Sequence, residues 1–229
     1  TELQRYRLKI SKRGVLKYIS HLDWLSLIYR AVRKAGLNVA FTQGFNPSPN
    51  ISLGAALPIF IESTSEYIDI ELYDNLNENE LMERLNNKLP ANCQISVIVK
   101  ISKDVESIDR LVEWAKYTAI PVDKEAIKKI DLSCIVKDIF LKDNIFIEKT
   151  TKKGLKKIID IRPSINSAEV IERDDGLMLE FILRAGQGNS SKQDIIPLRA
   201  DNFIKVITPD IDWDITRIGL LDNSLNDLL

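Results

Sequence analysis

The spacing of the apolar residues switches between two periods along the chain, and the order of those switches constrains the fold more than any other feature. Tyr6, Leu8 and Ile10 alternate with Arg7 and Lys9, the period-two pattern of a half-buried strand over about residues 4–10. After a Ser11-Lys12-Arg13-Gly14 turn, Leu22, Leu25, Ile28, Ala31, Val32 and Ala35 recur at helical spacing behind Ser20, and Gly36 supplies a left-handed cap. Residues 51–57 and 67–72 read as strands, 79–89 as a helix and 93–101 as a further strand. This βαββαβ order is that of a ferredoxin-like unit, in which two helices cover one face of a four-stranded antiparallel sheet and leave the other face available.

The pattern recurs with additions from residue 112. Strands are predicted at 113–120, 145–149, 155–161, 168–172, 177–183 and 213–220, with helices at 123–130, 133–140 and 199–206. The expected fold class is therefore α+β, with two packed ferredoxin-like units: residues 1–103, and residues 104–229 embellished with extra strands. A chain of 229 residues, 45% of them apolar, has enough material for two such cores.

Apolar runs such as Ile95 to Val99 fall far short of the roughly 18 residues of a membrane span, and residues 1–10 carry charges where a signal peptide needs an apolar stretch. A cytoplasmic protein without a membrane partner is expected. Cys93 and Cys134 are the only cysteines and His21 the only histidine, which matches neither a disulfide framework nor a zinc-ligand pattern. No metal site is predicted, and an iron–sulfur cluster held by this chain alone would lack its cysteines.

Charge is segregated although the net charge is only −1. Residues 1–50 hold nine Lys or Arg against two carboxylates, residues 51–115 five against twelve, residues 116–162 twelve against seven, and residues 163–229 six against twelve. A basic block followed by an acidic one, twice over, suggests one basic face per half, the electrostatic footprint of a nucleic-acid binder, although ordinary solvated surface can carry such runs as well.

Ser20 with Asp23 three residues on reads as a helix cap, which accounts for both without any further role. His21, at the first helical position, sits where the helix dipole favours a neutral imidazole, making it a weak candidate for a base. Pro47 and Pro49 exclude a helix from Thr42 to Asn50, so this is a stiff loop offering amides from Gln43, Asn46 and Asn50. Phe45 either stacks on an unpaired base or anchors the loop in the core. Lys149, Lys152, Lys153, Lys156 and Lys157 around Gly154 resemble a basic hairpin tip. Asp160 and Arg162 would share one face of a strand and pair with each other. The Gly186–Lys192 loop lacks the ending of a phosphate-binding loop, and the acidic tail from Asp222 is either frayed or docked on a partner.

Four blocks in order, Lys17-Tyr18-Ile19-Ser20-His21-Leu22-Asp23, Gln43-Gly44-Phe45-Asn46-Pro47, Leu53 to Pro58 and Glu66-Tyr67-Ile68-Asp69, resemble the radical-SAM-linked family of uncharacterised bacterial proteins, with Asp160-Ile161-Arg162-Pro163 as a weaker fifth. Ser48 and Asn50 stand where family members often have His or Lys. The resemblance implies an accessory role beside a radical-SAM enzyme, which would carry the iron–sulfur cluster and S-adenosylmethionine. Together with the charge blocks it suggests an accessory RNA-binding subunit that presents tRNA or rRNA for modification by the partner, with the chain's own enzymatic activity left open. The residues expected to touch RNA are Arg7, Lys9, Lys12, Arg13, Lys17, His21, Gln43, Phe45, Asn46, Lys152, Lys153 and Arg162. Two alternatives stand beside it: a metal-independent RNA-processing nuclease using His21, and a protein-only scaffold for the radical-SAM enzyme.

Overall fold

The computed structural model describes residues 2–150, 154–186 and 195–229. The first unit is built from β1 (Gln4–Lys12), α1 (His21–Lys34), β2 (Ile51–Leu53), β3 (Glu62–Leu72), α2 (Glu78–Asn86) and β4 (Ile95–Ile101). Its antiparallel strands run β4-β1-β3-β2, the ferredoxin-like order. A connector with the short helix α3 (Ile108–Leu111) leads to the second unit. That unit comprises β5 (Trp114–Pro121), α4 (Lys124–Ile127), α5 (Leu132–Leu141), β6 (Phe146–Thr150), β7 (Lys156–Asp160), β8 (Ile165–Arg173), β9 (Gly176–Arg184), α6 (Ala200–Ile207) and β10 (Trp213–Leu221). Strands β10-β5-β9-β8 repeat the same antiparallel order. The β6–β7 hairpin forms a separate two-stranded sheet, so it is the embellishment.

The two units share one sheet, because β10 lies parallel to β3 through the pairs Thr216↔Glu62 and Arg217↔Ser63. Room for it exists because β2 pairs with β3 only from Ile68 to Ile70, leaving the start of β3 uncovered. In the first unit the alternating Tyr6, Leu8 and Ile10 pack with Trp24, Ile28 and Val32 of α1 and Leu81 and Leu85 of α2. Each buried aliphatic side chain contributes roughly 1.5–3 kcal/mol of transfer free energy. In the second unit Tyr117 stacks on Phe181, which meets Phe203 of α6 at 5.0 Å between ring centroids.

The helix ends follow their residues. Ser20 Oγ accepts from the Asp23 N–H at 3.1 Å, and Gly36, at φ +67°, closes α1 with Leu37 N–H donating back to Val32 O. Gly14, at φ +57°, leads into a 3-10 turn from Gly14 to Tyr18 that seats α1 on the sheet. The left-handed backbone there favours glycine, and a Cβ would also displace the tip of the Asn92 side chain, 2.7 Å away.

One expectation is corrected by the first unit's second face. Arg5 and Arg7 alternate away from α1, yet both are buried. The connector and the C-terminal segment cover them: Arg7 donates to Glu106 O at 2.9 Å and to Leu228 O at 3.2 Å, and Arg5 donates to Val105 O. The acidic tail therefore docks on its own chain, with Asp227 accepting from Tyr67 Oη at 2.7 Å and Lys9 Nζ at 3.1 Å.

Candidate nucleic-acid interface

The basic block of residues 1–50 divides into two groups. Most of its cations are already neutralised by carboxylates from distant sequence. Asp69 accepts from Arg5 Nη2 and Arg7 Nε, each at 2.7 Å, and also caps Ile108 N–H at 3.0 Å. Lys9 pairs with Asp227 at 3.1 Å, Arg13 with Glu62 at 3.9 Å and Lys17 with Asp214 at 3.7 Å. Lys12 is 1% exposed and donates to Ile19 O at 3.0 Å, beside the buried pair of Arg217 and Glu66. Arg7 and Lys12 are thus corrected from surface contacts to interior groups, since an ammonium or guanidinium without water is tolerated only when acceptors surround it.

The junction between the units explains the start of α1. Arg217 donates Nε to Glu66 Oε1 at 2.8 Å and Nη2 to Glu66 Oε2 and to Ala55 O, the last at 2.7 Å. It thereby ties β10 to β3 and to the segment after β2. Burial pushes the Lys12 ammonium below its usual range, opposed by Glu66 and reinforced by Arg217. His21 is half-buried near the Trp24 ring, at 6.5 Å between centroids. Its imidazole is likewise held below its ordinary value by burial, with Glu66 pulling up and Lys12 and Arg217 pushing down. A neutral imidazole was expected from the helix dipole; burial and two buried cations are the cause here. Cys93, packed beside Trp24 in the same core, has its thiol pushed up to about 11 by burial.

The far end of α1 is the opposite case. Arg30, Arg33 and Lys34 are exposed, and among the described residues none has an ion-pair partner. Beside them the Thr42–Asn50 loop is closed by Thr42 N–H donating to Ser48 O at 2.8 Å and Ser48 N–H to Thr42 Oγ1 at 3.1 Å. Its base is anchored to the sheet, because Asn50 N–H donates to Ala40 O at 2.7 Å and Ala40 N–H to Glu71 O at 2.8 Å. Asn50 also donates its amide to Glu71 and so turns inward. Gln43, Asn46 and Phe45 point outward, Phe45 with relative exposure of 107% and Phe41 of 56%. Tyr29, Arg30, Arg33, Leu37, Phe41 and Pro49 line a cleft of about 470 Å³ between helix and loop.

Of the remaining expected residues, Lys152 and Lys153 lie outside the described residues. Arg162 leaves the strand expected for it: β7 stops at Asp160 and Arg162 starts a 3-10 turn. Asp160 therefore accepts from the backbone N–H groups of Ile145 and Arg162, while the guanidinium stacks over Phe140 at 5.0 Å and donates to Ile165 O. In the described part of the hairpin, Lys149 and Lys157 stand directly opposite each other, a pairing of like charges that costs stability.

Arg30 and Arg33 were counted in the charge block without being singled out. Their signal was present in the sequence, since the only acidic residue within α1 is Asp23 and nothing at helical spacing can neutralise them. Glu66 and Asp69 stand out only through the Glu66-Tyr67-Ile68-Asp69 block, and neither their pairing nor Arg217 could be read from it, because the partners are remote in sequence.

Residues 5–193 match the family described as "Uncharacterized protein conserved in bacteria (DUF2344)". The chain belongs to this family. That description assigns its members no reaction, and no curated protein matches the chain. A crystal structure described as that of a "putative glycine cleavage system transcriptional repressor" is similar over 95% of this chain and 99% of its own, at 11% identity and a TM-score of 0.24. Among the described residues no three His, Cys, Asp or Glu side chains are grouped to hold a metal ion, and no helix is long and apolar enough to cross a membrane.

Proposed function

We propose that this chain is an accessory RNA-binding protein that presents a structured RNA, tRNA or rRNA, to a separate radical-SAM enzyme in the cytoplasm. The observation that carries the RNA part is the far end of α1: three cations without ion-pair partners beside a closed loop whose aromatic rings and amides face solvent. Cations attract the phosphate backbone irrespective of sequence, while exposed rings and amides on a rigid loop suit bases that are not in a duplex. The opposed Lys149 and Lys157 add a second basic point, where a phosphate would relieve the repulsion. The partner enzyme rests on the family resemblance of the four sequence blocks, and the cluster and S-adenosylmethionine belong to that partner.

A second reading, the protein-only scaffold, has an observation of its own. Tyr18 and Phe60 meet edge to face at 5.8 Å, and with Val15 they are largely exposed; Phe60 holds φ +73°, a strained conformation for this residue, with its N–H on Lys17 O. Affinity purification from native cells, with co-purified RNA sequenced and co-purified protein identified, separates the readings. A defined RNA class together with a radical-SAM enzyme is the expected result. Recovery of the enzyme without RNA would favour the scaffold and reject the first reading. The nuclease alternative has only His21, half-buried beside Trp24, to support it.

A further inference from the structure

We infer that the cleft between the end of α1 and the Thr42–Asn50 loop receives an unpaired nucleobase, so that the RNA held there is single-stranded at the point of contact. The inference rests on the RNA-binding reading and adds the form of the ligand to it. A basic surface alone would not choose between single strand and duplex, because both offer phosphates. The cleft walls do choose. Tyr29 and Phe41 contribute rings, Leu37 and Pro49 apolar surface, and Arg30 and Arg33 planar guanidinium groups at the rim. Bases in a duplex hide their faces in the stack, whereas a splayed base can lie against an aromatic ring while its phosphate meets an arginine.

The size of the cleft fits a base better than a small anion, and its wall is partly built in advance. The cleft, at about 470 Å³, lies within the range of small-molecule sites and is far larger than a phosphate requires. The backbone at Phe41 is also held before any ligand arrives: it bridges to Pro49, and the neighbouring Ala40 and Thr42 are hydrogen-bonded to Asn50, Glu71 and Ser48. With the main chain fixed, only the two side-chain torsions of the ring have to be ordered on binding. Phe45, fully exposed on the same loop, offers a further ring outside the cleft.

Fluorescence anisotropy with labelled oligouridine, oligoadenosine and an RNA hairpin duplex of equal length tests this. The wild type is expected to bind the single strands at least tenfold tighter than the duplex. Phe41→Leu keeps the apolar volume without the ring, and is expected to lower single-strand affinity by roughly five- to one-hundredfold while leaving the duplex value unchanged. Replacing Arg30 and Arg33 with Gln should weaken both. Equal binding of the two forms, with Phe41→Leu and Phe41→Ala without effect in folded protein, would overturn the base cleft and leave the RNA reading standing. Absence of binding to either form would remove both.

Discussion

The two ends of α1 differ in what surrounds their charges. At its start, Ser20 and Asp23 cap the helix, and His21 sits half-buried near Lys12, Glu66 and Arg217, whose charges are met inside the protein, while Arg13 and Lys17 pair with Glu62 and Asp214 nearer the surface. At the other end of the same fourteen-residue helix, Arg30, Arg33 and Lys34 face solvent without ion-pair partners among the described residues, next to a cleft and a closed loop. Both ends are basic in sequence. Only the second presents surface cations without carboxylate partners among the described residues, because the acidic residues that follow in the chain fold back onto β1 and the first turn and leave the far end alone. A run of lysines and arginines therefore identifies a binding face only after its internal partners have been subtracted.

Breaking the buried end should produce the largest effect. Glu66→Ala leaves Lys12 and Arg217 without their carboxylate in the interior, and is expected to destabilise the fold by about 3–5 kcal/mol in urea unfolding. An unchanged midpoint would show that this end is not structural after all. Next in size is the cap: Ser20→Ala should cost about 1 kcal/mol in the same assay, with RNA affinity untouched.

His21 gives a smaller effect whose sign is fixed. Its folded-state proton affinity is below that of an unfolded imidazole, whose pKa is near 6.5. The unfolded state thus takes up more protons as pH falls below that value, so stability should decline on acidification through this window and level off below the folded pKa. His21→Gln should flatten that part of the stability profile, whereas a persistent slope would assign it to another group. The smallest effect on stability belongs to the far end. Arg30→Gln with Arg33→Gln should leave the unfolding midpoint within about 0.5 kcal/mol, as expected for exposed groups without partners. Thiol labelling adds a check on the interior: Cys134, exposed, should react in the native protein, whereas Cys93 should wait for unfolding.

The fold was legible wherever periodicity was. The alternation of Tyr6, Leu8 and Ile10 and the helical spacing of α1 carry their elements, and the order of elements carries both ferredoxin-like units. The start of β3 did not read as a strand, because Glu62, Ser63, Ser65 and Glu66 are polar; they sit at the junction with β10 and serve its hydrogen bonds. The strand expected at 51–57 pairs only from Ile51 to Leu53, where Gly54 breaks away while its N–H still donates to Tyr67 O. The 3-10 turn at Gly14–Tyr18 and α3 are too short to show a period.

The exposure of the candidate residues was legible where local sequence sets it. The two prolines imposed a stiff loop, and Gln43, Phe45 and Asn46 are outward on it. Arg7 misled, because a strand residue on the polar face looks solvated until its partners arrive, and Asp69 lies 62 residues from it; Lys12 misled because β1 continues into the expected turn and carries this residue into the interior. A larger separation in sequence hid Arg217, which meets Glu66 across 151 residues.

The central claim is that phosphate recognition belongs to the far end of α1 and not to the basic strand and first turn. Salt dependence of single-stranded RNA affinity tests it most directly, because the slope of log affinity against log salt counts the phosphates neutralised, at roughly 0.7 per contact for single strands. Arg30→Gln with Arg33→Gln is expected to reduce that slope by roughly 1.4 while Arg13→Gln with Lys17→Gln leaves it unchanged. The reverse pattern would contradict the account.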